Sequence, residues 1–302
     1  MFILVLNQNN LVQDGTNSEL VYKFPNSVVF KDKYIAVSSI SMFYSWFNIL
    51  QVYNNNLFTY TWTSGTTTTV YTVNIPNGLY EISDINNYIQ FICIQNGTYW
   101  SIFGNNYYPF ELLVNANRYA IQLNTYLIPT TTPTDATTPT NFVGWPTTEQ
   151  NSVVTFPSQF NKIVGYSANF SSNPNLNNAY NPPSPSSKSS NYVAKLAGGQ
   201  LSYLSDLSPQ VQPNSNVLFN ISNINNPYAV PSSVIYSLSP SVKIGEQITD
   251  TPPNFMWNKL IDGTYNELRL QLKGTDGQRL MINDPNMTIL LTIRDKFDIQ
   301  QQ

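Results

Sequence analysis

The chain has 302 residues, of which 41% are hydrophobic and only 10% are charged, with a net charge of -3 at pH 7. Such a chain can bury a large core, but it offers no basic surface for nucleic acid. Histidine is absent and Cys93 is the only cysteine, which excludes histidine-based triads, nearly all zinc and haem sites and any intrachain disulfide.

Most of the polar surface must therefore consist of Asn, Gln, Ser and Thr. Burying a neutral amide costs less than burying a charge, so this surface suits a subunit that packs against copies of itself. AT-rich codon usage would produce the same bias, and composition alone does not separate the two explanations.

The first predicted element is the apolar run Phe2 to Leu6. It is too short to span a membrane and has no cationic start, so we expect neither a membrane span nor secretion. The run is either the first strand of the domain or an arm that reaches a neighbouring subunit. In both cases Phe2, Ile3 and Leu4 are candidate interface residues.

Alternation of apolar and polar residues predicts about ten strands, which is enough for an eight-stranded jelly roll. The run 34–47 is apolar on both faces and is expected to be buried on both sides, with Ile40, Met42, Tyr44 and Trp46 opposite Val37, Phe43 and Phe47. Ser64-Gly65 predicts a hairpin between two of the strands. The predicted strands are residues 19–24, 34–47, 58–62, 68–75, 110–114, 119–127, 217–221, 234–238, 267–273 and 287–294.

One amphipathic helix is predicted between the strands, with Ser83 as its N-cap and Asp84 at its first position. Apolar residues then recur at helical spacing, and Gly97 can end the helix. Its apolar face is expected to lie on the β core. The apolar residues of that face are Ile85, Tyr88, Ile89 and Ile92.

The composition changes at Pro129, where a Thr-Pro-rich stretch begins, and residues 173–191 are of low complexity. A structureless loop of this length is improbable in a compact domain, so short strands are predicted at 153–156 and 162–166. We expect residues 1–126 and 217–302 to form one discontinuous jelly-roll domain, and 127–216 to form an insertion domain. Trp145 is the best candidate for an exposed contact in the insertion.

Motifs that would indicate catalysis are weak in this sequence. Gly165 to Asn169 begins like a nucleophile elbow, but it lacks the final glycine, and no histidine exists to activate Ser167. Carboxylates near the C-terminus pair as Asp262 with Glu267 and Asp276 with Asp284, and all four lie beside turns, where solvated residues are the simpler reading. We expect no enzyme activity, no cofactor and no metal site.

Three passages of the chain resemble the penton (minor capsid) proteins of virophages and Polinton-type viruses. They are Ile75 to Ile89, Val234 to Leu238 and Leu268 to Arg294, the last with its Asp276-Gly277 hairpin. The resemblance covers both ends of the chain, leaves out residues 129–216, and rests on framework features rather than catalytic residues.

The resemblance implies an upright jelly roll at a five-fold vertex of an icosahedral capsid. The implied partners are four further copies in a homopentamer and the surrounding trimers of major capsid protein, and the implied location is the virion, assembled in the host cytoplasm. A ring of this kind needs two complementary flanks on each subunit and no cofactor.

Two other interpretations of the sequence remain open. A viral spike or receptor- or glycan-binding head would use a similar β scaffold and place exposed aromatic residues such as Trp145 in a groove. A glycosidase would use two carboxylates, for which Asp262 and Glu267 are the candidates.

Overall fold

The computed structural model describes residues 1–167, 170–173, 200–211 and 216–295, and within these ranges antiparallel strands dominate. Two α-helices are present there, α1 Ile82–Asn96 and α2 Phe160–Val164. The strands are β1 Phe2–Leu6, β2 Glu19–Phe30, β3 Lys33–Phe43, β4 Leu57–Ser64, β5 Thr67–Asn74, β6 Trp100–Ile102, β7 Asn105–Tyr107, β8 Phe110–Asn115, β9 Ala120–Thr125, β10 Leu127–Ile128, β11 Ala136–Thr137, β12 Gln150–Asn151, β13 Val154–Phe156, β14 Phe170–Ser171, β15 Leu201–Leu204, β16 Val217–Ile221, β17 Val234–Leu238, β18 Gln247–Asp250, β19 Asn258–Lys259, β20 Gly263–Lys273 and β21 Thr288–Asp295.

The chain divides into two compact units. Unit 1 consists of Met1–Phe47 and Gln212–Gln302, and unit 2 of Asn48–Val211. The boundary expected at residue 127 lies inside unit 2, because β4, β5 and α1 share a core with β13 and β14. The return boundary expected at residue 217 lies close to the observed one. The low-complexity stretch 173–191 lies outside the described residues, apart from Asn173.

Unit 1 contains one five-stranded and one four-stranded sheet. Sheet A has the order β1-β21-β3-β18, with β19 also paired to β3, and sheet B has the order β17-β16-β20-β2. When the eight long strands are lettered B to I in chain order, leaving out β19, the sheets read B-I-D-G and C-H-E-F. This is the strand order of a jelly roll, so the predicted all-β jelly-roll fold is confirmed. Unit 2 is inserted between the third and fourth strands of this series, D and E.

An aliphatic core fills the space between sheets A and B. On β21 every second residue points inward, namely Ile289, Leu291 and Ile293, and all three are fully buried. The inward residues of β20 join them in the same core, Leu268, Leu270 and Leu272. Each such side chain contributes about 1.5–3 kcal/mol by leaving water.

Strand β3 differs from its prediction in length and in burial. It ends at Phe43, which is partly exposed, and its outward face is only half-buried. A register shift in its pairing with β21 adds a residue at Ser38, so Val37 lies on the same buried face as Ile40. The period-two reading placed them on opposite faces because a bulge reverses the alternation.

Unit 2 contains several small sheets around an aromatic core. The largest has the order β14-β13-β4-β5, and a second has the order β15-β9-β8. The predicted hairpin is present as β4 and β5, paired from Leu57 with Asn74 to Ser64 with Thr67. Phe58 of β4 is fully buried against the rings of Phe110, Phe156 and Phe160.

The amphipathic helix is present, but its start was predicted wrongly. Helix α1 begins at Ile82, and its N-cap is Glu81 rather than Ser83. Asp84 closes a capping box by accepting a hydrogen bond from the Glu81 amide at 2.9 Å, which satisfies one of the free N–H groups of the first turn. The predicted ending at Gly97 is confirmed, since Gly97 adopts a φ of 65°.

The strand predicted at residues 162–166 is wrong, because this segment forms most of α2. Phe160, Ile163 and Val164 are buried, and their spacing of three and four residues is that of a helix face. Gly165 then ends the helix at a φ of 77°. The neighbouring prediction at 153–156 is confirmed by β13.

One buried side chain contacts both the first and the last segment of unit 2. Asn48 donates hydrogen bonds to the carbonyl groups of Tyr80 and Val211 and accepts one from the Tyr80 amide at 2.9 Å. Asn48 and Val211 are the first and last residues of the unit. The entering and leaving segments are therefore joined through one buried amide.

Candidate assembly surfaces

The N-terminal candidate residues lie in an edge strand of the sandwich. Strand β1 pairs with β21 from Phe2 opposite Ile293 to Leu6 opposite Ile289. Leu4 is buried in the core, Ile3 is 54% exposed on the outer face, and the Phe2 ring stacks on Phe30 at 6.3 Å between centroids. The run is thus the first strand of the domain rather than an arm that extends away from it.

The free edge of β1 is unlike the other three edges of the sandwich. Edge strands are normally protected from further pairing by charges, proline, bulges or short length. Strand β2 contains Pro25 and a register shift, and β18 has four residues and ends in Asp250. The remaining edge, β17, has five residues and a register shift in its pairing. Strand β1 is apolar, uncharged and evenly paired, so it carries none of these devices except its modest length.

Trp145 is placed in an aromatic cluster of unit 2. Its ring lies 4.6 Å from that of Phe142 and 5.4 Å from that of Trp100, and its indole Nε1 donates to Thr132 at 3.0 Å. The carbonyl of Trp145 also accepts a hydrogen bond from the Gly65 amide at the tip of the β4–β5 hairpin. Trp145 is therefore half-buried and held in place, and the structure brings it together with aromatic neighbours rather than with the N-terminal candidates.

The carboxylates considered for catalysis take part in separate ion pairs and hydrogen bonds. Asp262 lies 3.6 Å from Lys259, and Glu267 lies 2.9 Å from Arg269. Asp284 is buried rather than solvated, because its two oxygens accept hydrogen bonds from the amides of Phe43 and Asn286 at 2.8 Å. A carboxylate used in this way fastens the turn before β21 to the end of β3.

The described part of the nucleophile-elbow-like motif, Gly165 to Ser167, makes a structural contact. The Ser167 amide donates to Asp206 at 2.7 Å, and the motif's last two residues, Ala168 and Asn169, lie outside the described residues. Within the described ranges, no group of three or more possible metal ligands occurs, and no helix is long and apolar enough to cross a membrane.

Cys93 is a packing residue of helix α1. It is fully buried in the core of unit 2, and burial raises the pKa of its thiol to about 12. A thiol with this pKa carries almost no thiolate at neutral pH and is a poor nucleophile.

Charge is concentrated on the outer face of sheet B. The buried Glu19 carboxylate pairs with Arg269 at 2.6 Å and with Arg279, and Arg279 also pairs with Asp14 at 2.7 Å. Burial alone would raise the pKa of Asp14, but hydrogen bonds from Thr16 and the positive charge of Arg279 lower it below its ordinary 3.8. With Glu267, which also pairs with Arg269, the network holds three carboxylates and two guanidinium groups, so it offers no strongly charged surface.

A tyrosine links the two sheets at another edge. The hydroxyl of Tyr236 on β17 donates to the Asp250 carboxylate on β18 at 2.6 Å. Burial, followed by the hydrogen bond to Asp250 and its negative charge, raises the pKa of Tyr236 to about 12. This contact joins the edge strands of the two sheets on this side of the sandwich.

The eight-stranded jelly roll and its insertion define this chain as an all-β jelly-roll protein. Comparison with solved structures finds the mavirus penton protein, at 8% identity, with 97% of each chain covered and a TM-score of 0.39. It also finds a chain of the Sputnik virophage structure determined by cryo-electron microscopy, at 12% identity, with 99% of each chain covered and a TM-score of 0.36. At these TM-scores the fold assignment rests on the strand order of unit 1.

The comparisons with sequences are negative. No protein-family model matches the chain, and no curated protein matches it.

Sequence reasoning missed most of the exposed apolar residues of unit 1. Tyr228 and Val230 are almost completely exposed, and they stand between Pro227 and Pro231. Apolar residues between turn-forming residues are a sequence signal for exposed contacts, because a loop held at the surface cannot bury them.

Proposed function

We propose that the protein is a structural capsid subunit that forms the homopentameric penton at the five-fold vertices of an icosahedral virion, and that it is not an enzyme. The observation that carries the proposal is the strand order of unit 1, B-I-D-G and C-H-E-F. Jelly rolls of eight strands occur in viral capsid proteins, lectins and cupins.

The interior of the sandwich favours the capsid alternative among these three classes. Cupin sites need metal-binding side chains inside the barrel, and this chain has no histidine. The space between sheets A and B is filled by aliphatic side chains from both sheets, such as Leu270 and Leu291. A sandwich filled in this way serves as a scaffold.

The surface of the sandwich supports assembly. A ring with five-fold symmetry repeats one heterologous contact, so each subunit needs exposed surfaces that are left incomplete in the single chain. The unprotected edge strand β1 and the exposed apolar residues Ile3 and Val5 on its outer face are such surfaces. The sequence resemblance to virophage and Polinton-type penton proteins points to the same role, with major capsid protein trimers as the surrounding partners.

Electron microscopy of the purified chain tests the proposal. We expect class averages of rings with five subunits. Rings or spikes with three subunits would contradict the penton and favour the receptor-binding head. A protein that is purely monomeric at micromolar concentration would contradict both the penton and the receptor-binding head.

A further inference from the structure

We infer that neighbouring copies of this chain contact each other in the pentamer by docking the loop between β16 and β17 of one copy into a pocket beside β2 of the next. The inference rests on the proposed function and assigns the contact within it. The docking loop, residues 222–233, and the pocket are two different surfaces of unit 1. A contact between them is heterologous, as a ring with five-fold symmetry requires.

The two surfaces lie on opposite sides of the sandwich. The edge strands β1 and β2 form one side, where Leu11 bridges to Leu20 of β2. The edge strands β17 and β18 form the other side, joined by the hydrogen bond between Tyr236 and Asp250. The pocket belongs to the first side and the docking loop to the second. Each copy can therefore offer its loop to the next copy while its own pocket receives the loop of the copy before.

The docking loop leaves two apolar side chains exposed at its tip. Tyr228 is 97% exposed and Val230, two residues further on, is 99% exposed. The tip has a fixed shape, because Asn226 accepts a hydrogen bond from the Tyr228 amide at 3.0 Å and donates one to the Val234 carbonyl at 3.1 Å. A tyrosine held out in this way loses little conformational entropy when a partner covers it, and tyrosine is enriched among the residues that dominate interface energies.

The pocket is a cavity of about 580 Å³ that is lined by residues 9–12, residues 21–23, Glu267 and Arg269. Pockets of roughly 300–1,000 Å³ hold compact ligands, so this one can receive the tip of a loop. Asn10 fixes one wall by donating a hydrogen bond to the Val21 carbonyl at 3.2 Å. The apolar part of the lining consists of three aliphatic side chains, Leu11, Val12 and Val21.

The polar part of the pocket suits an aromatic ring that carries a hydroxyl group. Arg269 is held by Glu19 at 2.6 Å and by Glu267 at 2.9 Å, so its guanidinium group is a fixed planar surface. Aromatic rings stack on such surfaces. The side-chain amides of Asn9 and Asn10 in the same lining offer hydrogen-bond partners for a tyrosine hydroxyl.

The charges of the two surfaces do not oppose the contact. Residues 207–242, which include the docking loop and β17, contain no charged residue. In the pocket Glu267 and Arg269 pair with each other, and the third charged residue, Lys23, is exposed and can remain solvated at the rim. Docking of the loop therefore needs to bury no unpaired charge.

The docking loop leaves sheet B at nearly the same height as the pocket. Ile221, the last residue of β16, is paired with Leu270 of β20, and Val21 in the pocket is paired with the adjacent Arg269. These two positions on β20 are about 3.4 Å apart along the strand. Around an axis that runs along the strands, a contact between equal heights adds no rise, so its repetition can close a ring instead of winding into a filament.

The test uses one variant for each surface and follows the oligomer by native mass spectrometry. Tyr228→Glu/Val230→Glu removes the apolar tip of the loop, and Val21→Trp fills the pocket. Matched controls carry the same kinds of substitution at positions of unit 2 that are 65%, 87% and 62% exposed, namely Val114→Glu/Tyr119→Glu and Val70→Trp.

A second pair of variants guards against loss of folding. Tyr228→Ala and Asn9→Trp change only exposed side chains of the loop and of the pocket. They replace the first pair if circular dichroism shows that either of those variants is unfolded.

We expect the wild type and both controls to be pentameric, and each surface variant to dissociate at concentrations at least about 30-fold higher than the wild type. The two surface variants should form a 1:1 dimer when they are mixed at a concentration at which each alone is monomeric. In that dimer the intact pocket of the loop variant holds the intact loop of the pocket variant, and the altered surfaces prevent further growth. A contact through one self-complementary surface would not give this result.

The other outcomes separate the inference from the proposed function. Pentamers of unchanged stability in either surface variant would overturn the inference and leave the proposed function intact. A mixture of the two folded variants that stays monomeric would show that this loop does not bind this pocket. Unchanged pentamers with loss of glycan-array binding in Val21→Trp would assign the pocket to a saccharide instead. A wild type that is not pentameric would overturn the proposed function itself.

Discussion

The two units of this chain reach stability with different chemistry. The core of unit 1 is mostly aliphatic, with leucine and isoleucine on facing sheets. The core of unit 2 is rich in aromatic rings, including Phe58, Phe156 and Tyr166. Aliphatic side chains fit the regular spacing of two facing sheets, whereas large rings fill the irregular space between several short sheets and a helix.

The polar contacts of the two units also differ. Every ion pair found among the described residues lies in unit 1, including the Glu19 network. In unit 2 the carboxylates Asp84 and Asp206 accept hydrogen bonds from backbone amides. Buried uncharged groups add to these contacts, such as the Tyr166 hydroxyl, which accepts a hydrogen bond from the Leu123 amide and donates one to the Tyr203 carbonyl. We therefore expect unit 1 to respond most to charge removal and acid, and unit 2 to changes in side-chain shape.

The largest effect is expected from deleting a ring in unit 2. Phe58→Ala removes a fully buried side chain that contacts three other rings, which should cost about 3–5 kcal/mol in the free energy of unfolding. Val70→Ala on the neighbouring strand, 62% exposed, should change it by less than about 0.5 kcal/mol. Urea unfolding measures both, and equal effects would contradict the assignment of the aromatic core.

Gly97 at the end of α1 tests whether unit 2 is sensitive to added side-chain volume. Gly97 has a φ of 65°, and a Cβ at this position would stand 2.0 Å from the Asn141 carbonyl oxygen. Gly97→Ala should therefore cost about 2–4 kcal/mol from backbone strain and steric overlap together.

Gly277 in unit 1 is the matched control for Gly97. It has a φ of 78° but open space around its Cα, so Gly277→Ala should cost about 1–2 kcal/mol, from strain alone. The difference between the two melting temperatures isolates the overlap with Asn141. If the two substitutions proved equally costly, the close packing at the helix end would be disproved.

Removal of Arg279 tests whether unit 1 depends on its ion pairs. Arg279→Ala leaves the buried Glu19 with one partner in place of two and deprives Asp14 of its cation, at a cost of about 1–3 kcal/mol. We expect amide hydrogen exchange to rise in β2 and β20 and to remain unchanged in unit 2. Faster exchange in both units to the same degree would show that their stabilities are not separable in this way.

The smallest effect is expected from Asp14 in acid. Because the pKa of Asp14 is lower in the folded chain than its ordinary 3.8, its contribution to stability is present above that value and is lost as the pH falls through the folded-state pKa. Asp14→Asn should flatten the stability profile of unit 1 between about pH 5 and pH 2. An unchanged slope in this variant would show that Asp14 does not contribute to the acid sensitivity of unit 1.

Much of unit 1 could be predicted because its strands alternate cleanly. Residues 217–221 and 234–238 form strands with the predicted bounds, and residues 267–273 and 287–294 lie within β20 and at β21. In these segments one face is buried, so the period of two is visible in the sequence. Where a bulge interrupts β3, the same rule assigned Val37 to the wrong face.

The division of the chain and the contact surfaces were harder to predict. Strands β4 and β5 have the same pattern as the strands of the sandwich, and nothing local in Phe58 or Val73 reveals which core they enter. The composition change at Pro129 marks the start of irregular loops rather than of a unit. Exposed residues such as Val230 do not disturb local patterning, so their exposure becomes visible only in the folded chain.

The central claim is that both ends of the chain build one sheet, and a designed disulfide tests it most directly. Val5 and Leu290 are directly paired on the outer face of sheet A, a geometry that allows a disulfide, and the buried Cys93 will not compete. We predict that Val5→Cys/Leu290→Cys forms a cross-link between residues 5 and 290, found by peptide mass mapping, and that Val5→Cys/Ser41→Cys, two strands apart, does not. Absence of the first cross-link, or equal yields of the two, would contradict the jelly roll.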